Sequence, residues 1–328
     1  MIIVTGGAGF IGSNLLAALE ARGATELVVN DRLGSDEKWR NIAKRELADI
    51  VPPDRLLGFL DAHAKDVEVI FHMGANSSTT ERDVDSIVAS NIMLSLDLWT
   101  WCAHHGKRLI YASSAATYGN GSQGFDDDGS VEGLASLRPL NPYGWSKHLV
   151  DRRIARLVAD CAPCPSQWAG LKFFNAYGPN EFHKGDMRSL IAKNYARAAV
   201  GEPVHLFRSD HTDAEDGGPW RDFVWVGDCV EIMLWLYDNP AVNGLFNVGG
   251  GEARSFRELI GALFNAVGQT PNIEYVDMPD ELAGKYQYYT KAGLDRLRAA
   301  GYDRPATTVE DGVAEYVRDY LSRPDPYR

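Results

Sequence analysis

Short apolar runs alternate with longer amphipathic stretches through the first half of the chain. The apolar runs predict strands at Ile2–Thr5, Glu26–Asn30, Asp66–His72, Leu109–Ser113 and Ala169–Phe174. The helical spacing of apolar positions predicts helices at Phe10–Arg22, Ile87–His105 and Tyr143–Ala159. Strands that alternate with helices indicate an α/β fold, here a Rossmann-type doubly wound parallel sheet.

The alternation breaks after residue 175. Residues 180–220 read as loop-rich and charged, with an acidic run at Asp210–Asp216, and residues 252–328 read as one helix, Ser255–Val267, among loops. We expect a Rossmann domain of residues 1–175 plus 222–251 and a smaller substrate-binding domain of residues 176–221 plus 252–328. A ligand would bind in the cleft between them.

Composition excludes several classes of protein. A net charge of −12 in 328 residues gives no electrostatic footprint for nucleic acid. The chain starts directly with a strand, without a signal sequence or a run of 18 apolar residues, so we expect a cytoplasmic protein without a membrane span. Cys161 and Cys164 form a lone C-x-x-C pair without further ligands at metal-binding spacing, so no metal site is predicted.

A glycine-rich turn follows the first predicted strand and opens the first helix. Gly6, Gly9 and Gly12 allow a tight turn, close approach of the backbone to a pyrophosphate and close packing of helix on strand. A glycine-rich loop alone is weak evidence, but here the context of strand, loop and helix is met. The turn predicts a dinucleotide site.

The end of the second strand bears on the choice of coenzyme. Asp31 can accept hydrogen bonds from the adenosine ribose, which by itself favours NAD. Arg32 and Lys38 suit the 2′-phosphate of NADP, unless they are solvated loop charges. We therefore predict NADP, with Asp49 as a weaker candidate for contact with the adenine.

A candidate proton-transfer site lies farther along the chain. Tyr143 and Lys147 are four residues apart, so they share one face of the predicted helix. An ammonium group and a nicotinamide cation nearby would favour the phenolate of Tyr143, and Ser114, at a strand end, can hydrogen-bond the reacting oxygen.

Lys184 adds a second ionisable group beyond this site. A dehydrogenase needs one acid/base for one hydride step, so a second group suggests that hydride leaves one face of a carbon and returns to the other. We expect burial, Lys147 and the nicotinamide to lower the pKa of Lys184. The alternative is a lysine that only contacts phosphate or coenzyme.

These features resemble the extended short-chain dehydrogenase/reductase family over nearly the whole length. Within it, the chain is similar to the ADP-glycero-manno-heptose 6-epimerases, which supply heptose for the lipopolysaccharide core. The motifs that carry this resemblance are Phe71–Glu81, Tyr111–Gly119, Phe174–Pro179, His183–Gly185, Arg221–Asp228 and Lys285–Gln287. The Ser-Ser-Thr-Thr-Glu and His-Lys-Gly segments are the more specific ones.

The resemblance implies epimerisation at C6″ of ADP-D-glycero-β-D-manno-heptose by transient oxidation and re-reduction with bound NADP. It makes Tyr143 and Lys184 the two acid/base groups, supported by Ser114 and Lys147, and implies a homo-oligomer, a pentamer. Coenzyme contacts would come from Gly6, Gly9, Phe10, Ile11, Gly12, Asp31, Arg32, Lys38, Asp49, Met73, Gly74, Ala75, Asn76, Ser77, Asn91, Tyr143, Lys147, Ala176 and Lys184. The substrate, an ADP-heptose, would meet Ser78, Thr79, Ser114, Asn175, Asp186, Lys193, Phe207, Arg208, Ser209, Asp210, Arg221 and Tyr286.

The chain departs from the family pattern at a few positions. Met73 stands where a Glu is usual, Asp186 and Lys193 replace a Ser and a His, and the acidic loop 210–219 is longer. The alternatives are another nucleotide-sugar epimerase, a 4,6-dehydratase or a nucleotide-sensing protein with an inactive site. The dehydratases carry an Asp-Glu pair where Ala115 and Ala116 follow Ser114, and the intact Ser114, Tyr143 and Lys147 argue against an inactive site.

Overall fold

The computed structural model describes residues 1–209, 216–277 and 288–328. Its strands are β1 (Ile2–Thr5), β2 (Leu27–Asn30), β3 (Asp49–Val51), β4 (Val69–His72), β5 (Arg108–Ser114), β6 (Gln167–Phe173), β7 (Asn175–Tyr177), β8 (Val204–Phe207), β9 (Trp220–Trp225), β10 (Gly244–Val248), β11 (Ala253–Ser255) and β12 (Ile273–Val276). Within the described residues, no helix has the length and apolar character needed to cross a membrane.

The helices lie between these strands and at the end of the chain. They are α1 (Phe10–Ala21), α2 (Leu56–Ala62), α3 (Val84–Ile87), α4 (Leu94–His105), α5 (Val131–Ser136), α6 (Pro142–Ala159), α7 (Leu190–Ala199), α8 (Val226–Asp238), α9 (Phe256–Ala266), α10 (Asp295–Ala299) and α11 (Val309–Tyr316). Shorter 3-10 segments include Glu37–Asn41 and Phe182–Met187, and π-helical turns occupy Val88–Met93 and Val317–Leu321.

A seven-stranded parallel sheet forms the centre of the fold. Its strand order is β10-β6-β5-β4-β1-β2-β3, and every neighbouring pair is parallel. The chain runs outward from β1 in both directions, so the carboxyl ends of β1 and β4 flank the topological switch point where ligands bind in such sheets. The predicted fold class is confirmed.

Two small sheets accompany the central one. β9 pairs with β7 and β11 in a three-stranded sheet, and β8 pairs with β12. A separate apolar cluster joins these strands to α7, α9 and α11, and Phe10 of α1 belongs to the same cluster. The glycine-rich turn is thereby anchored to both parts of the molecule. The predicted domain boundaries stay a prediction.

Several element predictions are wrong. The stretch 180–220, predicted to be loop-rich, contains α7 and β8. Ile191 and Ala198, seven residues apart on one face of α7, are buried, so the charges in this stretch belong to the other face. The predicted helix Ile87–His105 is present as one continuous helical run, but it includes a π-helical turn at Val88–Met93 that was not predicted. The tail also contains β12, α10 and α11, which the sequence interpretation missed.

Candidate active site

A cavity of about 870 Å³ opens at the carboxyl ends of the central strands. It gathers residues that are far apart in the chain and that the sequence predicted for coenzyme, substrate or catalysis. These are Gly6, Gly9, Phe10, Ile11, Gly12, Asp31, Lys38, Met73, Gly74, Ala75, Asn76, Ser77, Ser78, Thr79, Ser114, Tyr143, Lys147, Asn175, Ala176 and Lys184.

The glycine-rich turn approaches its neighbours too closely for side chains. Gly6 has a left-handed backbone (φ 64°), and a Cβ atom there would lie 2.6 Å from Gly74 Cα. A Cβ on Gly12 would lie 2.3 Å from the carbonyl oxygen of Gly6. In the described structure no side chain caps the amino terminus of α1, and its first turn contains no acidic residue. This end of the helix therefore suits a phosphate group.

Asp31 and Lys38 form an ion pair at one end of the cavity. Lys38 Nζ lies 2.6 Å from Asp31 Oδ1 and also donates to the carbonyl oxygen of Arg32. The other carboxylate oxygen of Asp31 accepts from the main-chain amide of Ala8. Since Lys38 offsets the carboxylate charge, the pair is compatible with a 2′-phosphate. The side chain of Arg32 is exposed and does not line the cavity.

The loop after β4 forms another wall of the cavity. Asn91 does not line the cavity but holds this loop: its amide accepts from Asn76 N at 2.8 Å and donates to Asn76 O at 2.9 Å. It also donates to Ser146 on α6. Ser78 bonds to Thr80 within the loop, at 3.2 Å. Asn91 thus positions the predicted contact residues from behind.

Tyr143 and Ser114 meet inside the cavity. Tyr143 enters the first turn of α6, which Asn141 caps, and hydrogen-bonds with Ser114. Burial raises the pKa of the Tyr143 phenol, and the bond to Ser114 opposes this rise. The expected lowering by Lys147 is not found, and Lys147 Nζ instead donates to the carbonyl oxygen of Ala112 at 2.7 Å. Burial lowers the pKa of Lys147 to about 8.

Lys184 reaches the same cavity from the 3-10 segment Phe182–Met187. Its Nζ lies 4.9 Å from the ring centroid of Phe10, and among the described residues it forms no hydrogen bond or ion pair. Burial lowers its pKa, as predicted, Glu181 opposes this and Lys193 adds to it. The cation that contributes is therefore Lys193, where the sequence argument named Lys147.

Other predicted site residues lie outside the cavity walls. Arg208 pairs with Asp277 at 3.0 Å in an exposed position, and Arg221 is buried with its guanidinium 5.8 Å from the ring of Phe256, which does line the cavity. Asp49, Asp186, Lys193, Phe207 and Ser209 are also placed elsewhere. Asp210 and Tyr286, with most of the acidic loop, lie outside the described residues.

Some residues around the cavity had no predicted role. The apolar side chains of Met187, Leu190, Phe223, Phe256 and Leu259 line its far wall, together with His183 and Arg188. His183 stood in the His-Lys-Gly motif and so carried a signal in the sequence. The apolar residues had none, because an apolar side chain at a ligand cavity cannot be told from a core residue in the sequence. No cluster capable of holding a metal ion occurs among the described residues.

Comparison with known proteins places the chain among nucleotide-sugar enzymes. The NAD dependent epimerase/dehydratase family matches residues 2–249. The ADP-L-glycero-D-manno-heptose-6-epimerase of Nitratidesulfovibrio vulgaris is 49% identical, with all of both chains covered. The crystal structure of the Helicobacter pylori enzyme of that name superposes with a TM-score of 0.78 at 26% identity over 97% of this chain and 95% of the other. A Thermus thermophilus UDP-glucose 4-epimerase in complex with NAD gives 0.73 at 27%, over 95% and 96%.

Proposed function

The chain belongs to the NAD-dependent epimerase/dehydratase family, and we propose that it converts ADP-D-glycero-β-D-manno-heptose into the ADP-L-glycero form at C6″. The product would supply heptose for the lipopolysaccharide core. The observation that carries the proposal is the presence of two acid/base groups, Tyr143 and Lys184, on separate elements around one cavity. An epimerisation that passes through a ketone removes the hydroxyl proton and returns it after the hydride has moved to the other face, and two acid/base groups on opposite sides allow this while the ketone rotates between them.

The residues around the glycine-rich turn fit a dinucleotide, and we propose NADP. When bound, the coenzyme would supply hydride transfer. The amino terminus of α1 would bind the pyrophosphate, and Lys38 would bind the 2′-phosphate beside Asp31. Gly6 and Gly12 keep the backbone free of side chains there.

Tyr143, Ser114 and Lys147 would act on one side of the substrate carbon. The hydroxyl of Ser114 is close enough to the phenol of Tyr143 to lower its pKa, so both can address the same substrate oxygen. Lys147, fixed on the Ala112 carbonyl, would contact the nicotinamide ribose. The phenol gives or takes the proton of the C6″ oxygen.

Lys184 would serve the other side. Its ammonium group has no hydrogen-bonding partner among the described residues, and burial favours its neutral form, so it can exchange a proton with a substrate oxygen. In one turnover the ketone rotates between the two groups, and the oxygen that one of them deprotonated is reprotonated by the other.

Direct assay tests the proposal. Purified protein incubated with ADP-D-glycero-β-D-manno-heptose should give the L-glycero epimer, seen by NMR, without added coenzyme. Denaturation should release NADP, and recovery of NAD alone would contradict the assignment of Lys38. Turnover of a UDP-hexose with no turnover of the ADP-heptose would favour a different nucleotide-sugar epimerase. Size-exclusion chromatography with light scattering tests the proposed homo-oligomer, a pentamer.

A further inference from the structure

One buried amide side chain joins the coenzyme side of the cavity to the Lys184 side. Asn41 ends the 3-10 segment Glu37–Asn41, which carries Lys38, and is 1% exposed. Its Nδ2 donates to the carbonyl oxygen of Ala8, in the glycine-rich turn, at 2.8 Å. The same Nδ2 lies 3.0 Å from His183 Nδ1. Three elements that are far apart in the chain therefore meet at one nitrogen atom.

The partners of Asn41 determine which atom donates in each bond. The Ala8 carbonyl can only accept, so the atom facing it is the amide nitrogen. That nitrogen then donates to His183 Nδ1, which must be unprotonated, and the neutral ring carries its proton on Nε2. Burial, with Lys38 and Lys184 nearby, lowers the pKa of His183 to about 4, so this form holds at neutral pH.

A second amide holds the backbone that leads into Lys184. Asn180, which is fully buried, adopts a left-handed backbone (φ 70°) and donates to Ser13 on α1 at 3.0 Å. After Lys184 the chain kinks at Gly185 (φ 53°, ψ −123°), a conformation that favours glycine. Between these two points, the side chain of His183 provides a hydrogen bond to the coenzyme side, whereas the ammonium group of Lys184 faces the ring of Phe10 and has no hydrogen bond of its own among the described residues.

We propose that Asn41 is a positioning residue for Lys184, acting through His183, so that the glycine-rich turn and the Lys38 segment determine where the ammonium group lies. This proposal rests on the proposed function, in which Lys184 is one of two acid/base groups. It adds that the segment that binds the adenosine end of the coenzyme also sets the geometry on one side of the substrate. Among the described residues, the Tyr143 side, built on α6 and β5, has no such link to Asn41.

The test compares the two sides of the site separately. An ADP-sugar with an aldehyde at C6 can be oxidised as its hydrate and reduced as the aldehyde without rotating, so one acid/base group suffices. In Tyr143→Phe this disproportionation reports on Lys184, and in Lys184→Met it reports on Tyr143. Asn41→Leu is then added to each of these two variants. The rate of disproportionation should fall at least about tenfold more in the Tyr143→Phe background than in the Lys184→Met background, since general acid–base groups contribute roughly 10²–10⁴ in rate.

A matched pair of variants at His183 checks the bond itself. The Oδ1 atom of asparagine occupies the place of His Nδ1 and accepts a hydrogen bond, whereas leucine cannot. In the Tyr143→Phe background His183→Asn should retain most of the rate and His183→Leu should lose it as Asn41→Leu does. This pair also carries the test if Asn41→Leu does not fold.

NMR provides a readout besides activity. With eight histidines in the chain, selective ¹⁵N labelling of histidine should show His183 with its proton on Nε2. In Asn41→Leu its pKa should rise, because a donated hydrogen bond to Nδ1 favours the neutral ring. The charged groups that act on this ring are Lys38, Lys184, Asp31 and Asp36, and they are unchanged in the variant.

The possible results distinguish failure of the positioning role of Asn41 from failure of the two-base mechanism. Equal losses in the two backgrounds, or none in either, would overturn the positioning role while leaving the proposed function in place. So would equal rates for His183→Asn and His183→Leu. Epimerisation of ADP-heptose by Lys184→Met at the wild-type rate would instead overturn the two-base mechanism, and the positioning role with it.

Discussion

The two proposed acid/base residues have pKa values shifted in opposite directions by the same cause. Burial raises the pKa of the Tyr143 phenol and lowers that of the Lys184 ammonium group, because it disfavours whichever form is charged. The site therefore favours a neutral phenol, which can donate a proton, and moves Lys184 towards a neutral amine, which can accept one. We infer that a proton removed on the Lys184 side is balanced by one donated on the Tyr143 side.

Tyr143→Phe is the first residue-scale prediction. The ring still packs, so fold and bound coenzyme should be kept, while the ionisable oxygen is lost. Epimerisation should fall roughly 10²–10⁴-fold. Turnover measured by NMR, beside nucleotide released from the same sample, checks this. Near-normal turnover would show that another group transfers the proton.

The second residue-scale prediction concerns Lys184→Met. It should keep bound NADP and lose epimerisation of the heptose by roughly 10²–10⁴-fold, because the amine that exchanges the second proton is gone. The C6-aldehyde analogue should still disproportionate in Lys184→Met and in Tyr143→Phe, but not in the double variant. If Lys184 only contacted the coenzyme, the substitution would instead reduce coenzyme content, which the released nucleotide would reveal.

The sequence predicted residues whose local spacing carries the chemistry, and missed those that act across the chain. Tyr143 and Lys147 are four residues apart, so a helix alone brings them together. Asn41 and His183 are 142 residues apart, and no pattern in the sequence around either residue predicts their hydrogen bond. The pKa of Lys184 is lowered by burial, as predicted, but the cation that contributes is Lys193, which comes close through the fold of residues 184–193, and not Lys147.

At the scale of elements, the first strand, turn and helix form the most constrained unit. Gly12 lies on α1 where the helix passes over the Gly6 carbonyl, and there is no room for a methyl group. The same unit bonds to the chain just before the 3-10 segment Phe182–Met187 that carries Lys184, because Asn14 on α1 donates to the carbonyl oxygen of Pro179 at 2.9 Å. A displacement of α1 would therefore affect coenzyme binding and the Lys184 side together.

Gly12→Ala tests this constraint. The added Cβ would lie 2.3 Å from the Gly6 carbonyl oxygen, so turn and helix must separate, and bound coenzyme should drop to a small fraction of the wild-type amount. Gly261→Ala in α9 is the matched control, since a Cβ there meets nothing within 4 Å. It should keep the coenzyme and raise stability by up to about 1 kcal/mol. Full coenzyme content in Gly12→Ala would contradict the packing argument.

Element predictions succeeded where the period of apolar residues was clear. β1, α1, β5 and α6 were predicted within one or two residues, because buried parallel strands and long amphipathic helices have strong patterns. α7 was missed because it is only ten residues long and the charged residues of its exposed face obscured the apolar pattern. The π-helical turn Val88–Met93 was not predicted, and neither was the hydrogen bond from Asn91 within it to Ser146, 55 residues away.

For the molecule as a whole, buried neutral histidines connect stability to pH. His72, on β4, is fully buried between Thr5 Oγ1 at 2.7 Å and Ser95 Oγ at 2.9 Å, and burial lowers its pKa to about 3. Burial likewise lowers the pKa of His148 and His183 to about 4. Asp222 acts the other way, since burial raises its pKa to about 6 and its protonation stabilises the fold as pH falls.

Acidification should therefore destabilise the protein, and His72 should account for a measurable part. Below pH 6.5 His72 is protonated in the unfolded chain, whereas in the folded protein it stays neutral down to about pH 3. The free energy of unfolding therefore decreases as pH falls through this window. Between pH 7 and 5 one such histidine contributes about 2 kcal/mol. Urea unfolding at both pH values and one protein concentration should show a loss about 2 kcal/mol smaller in His72→Asn. His104→Asn, at an exposed histidine of α4, is the control and should keep the wild-type loss. An unchanged loss in His72→Asn would mean that His72 is protonated in the folded protein as readily as in the unfolded chain.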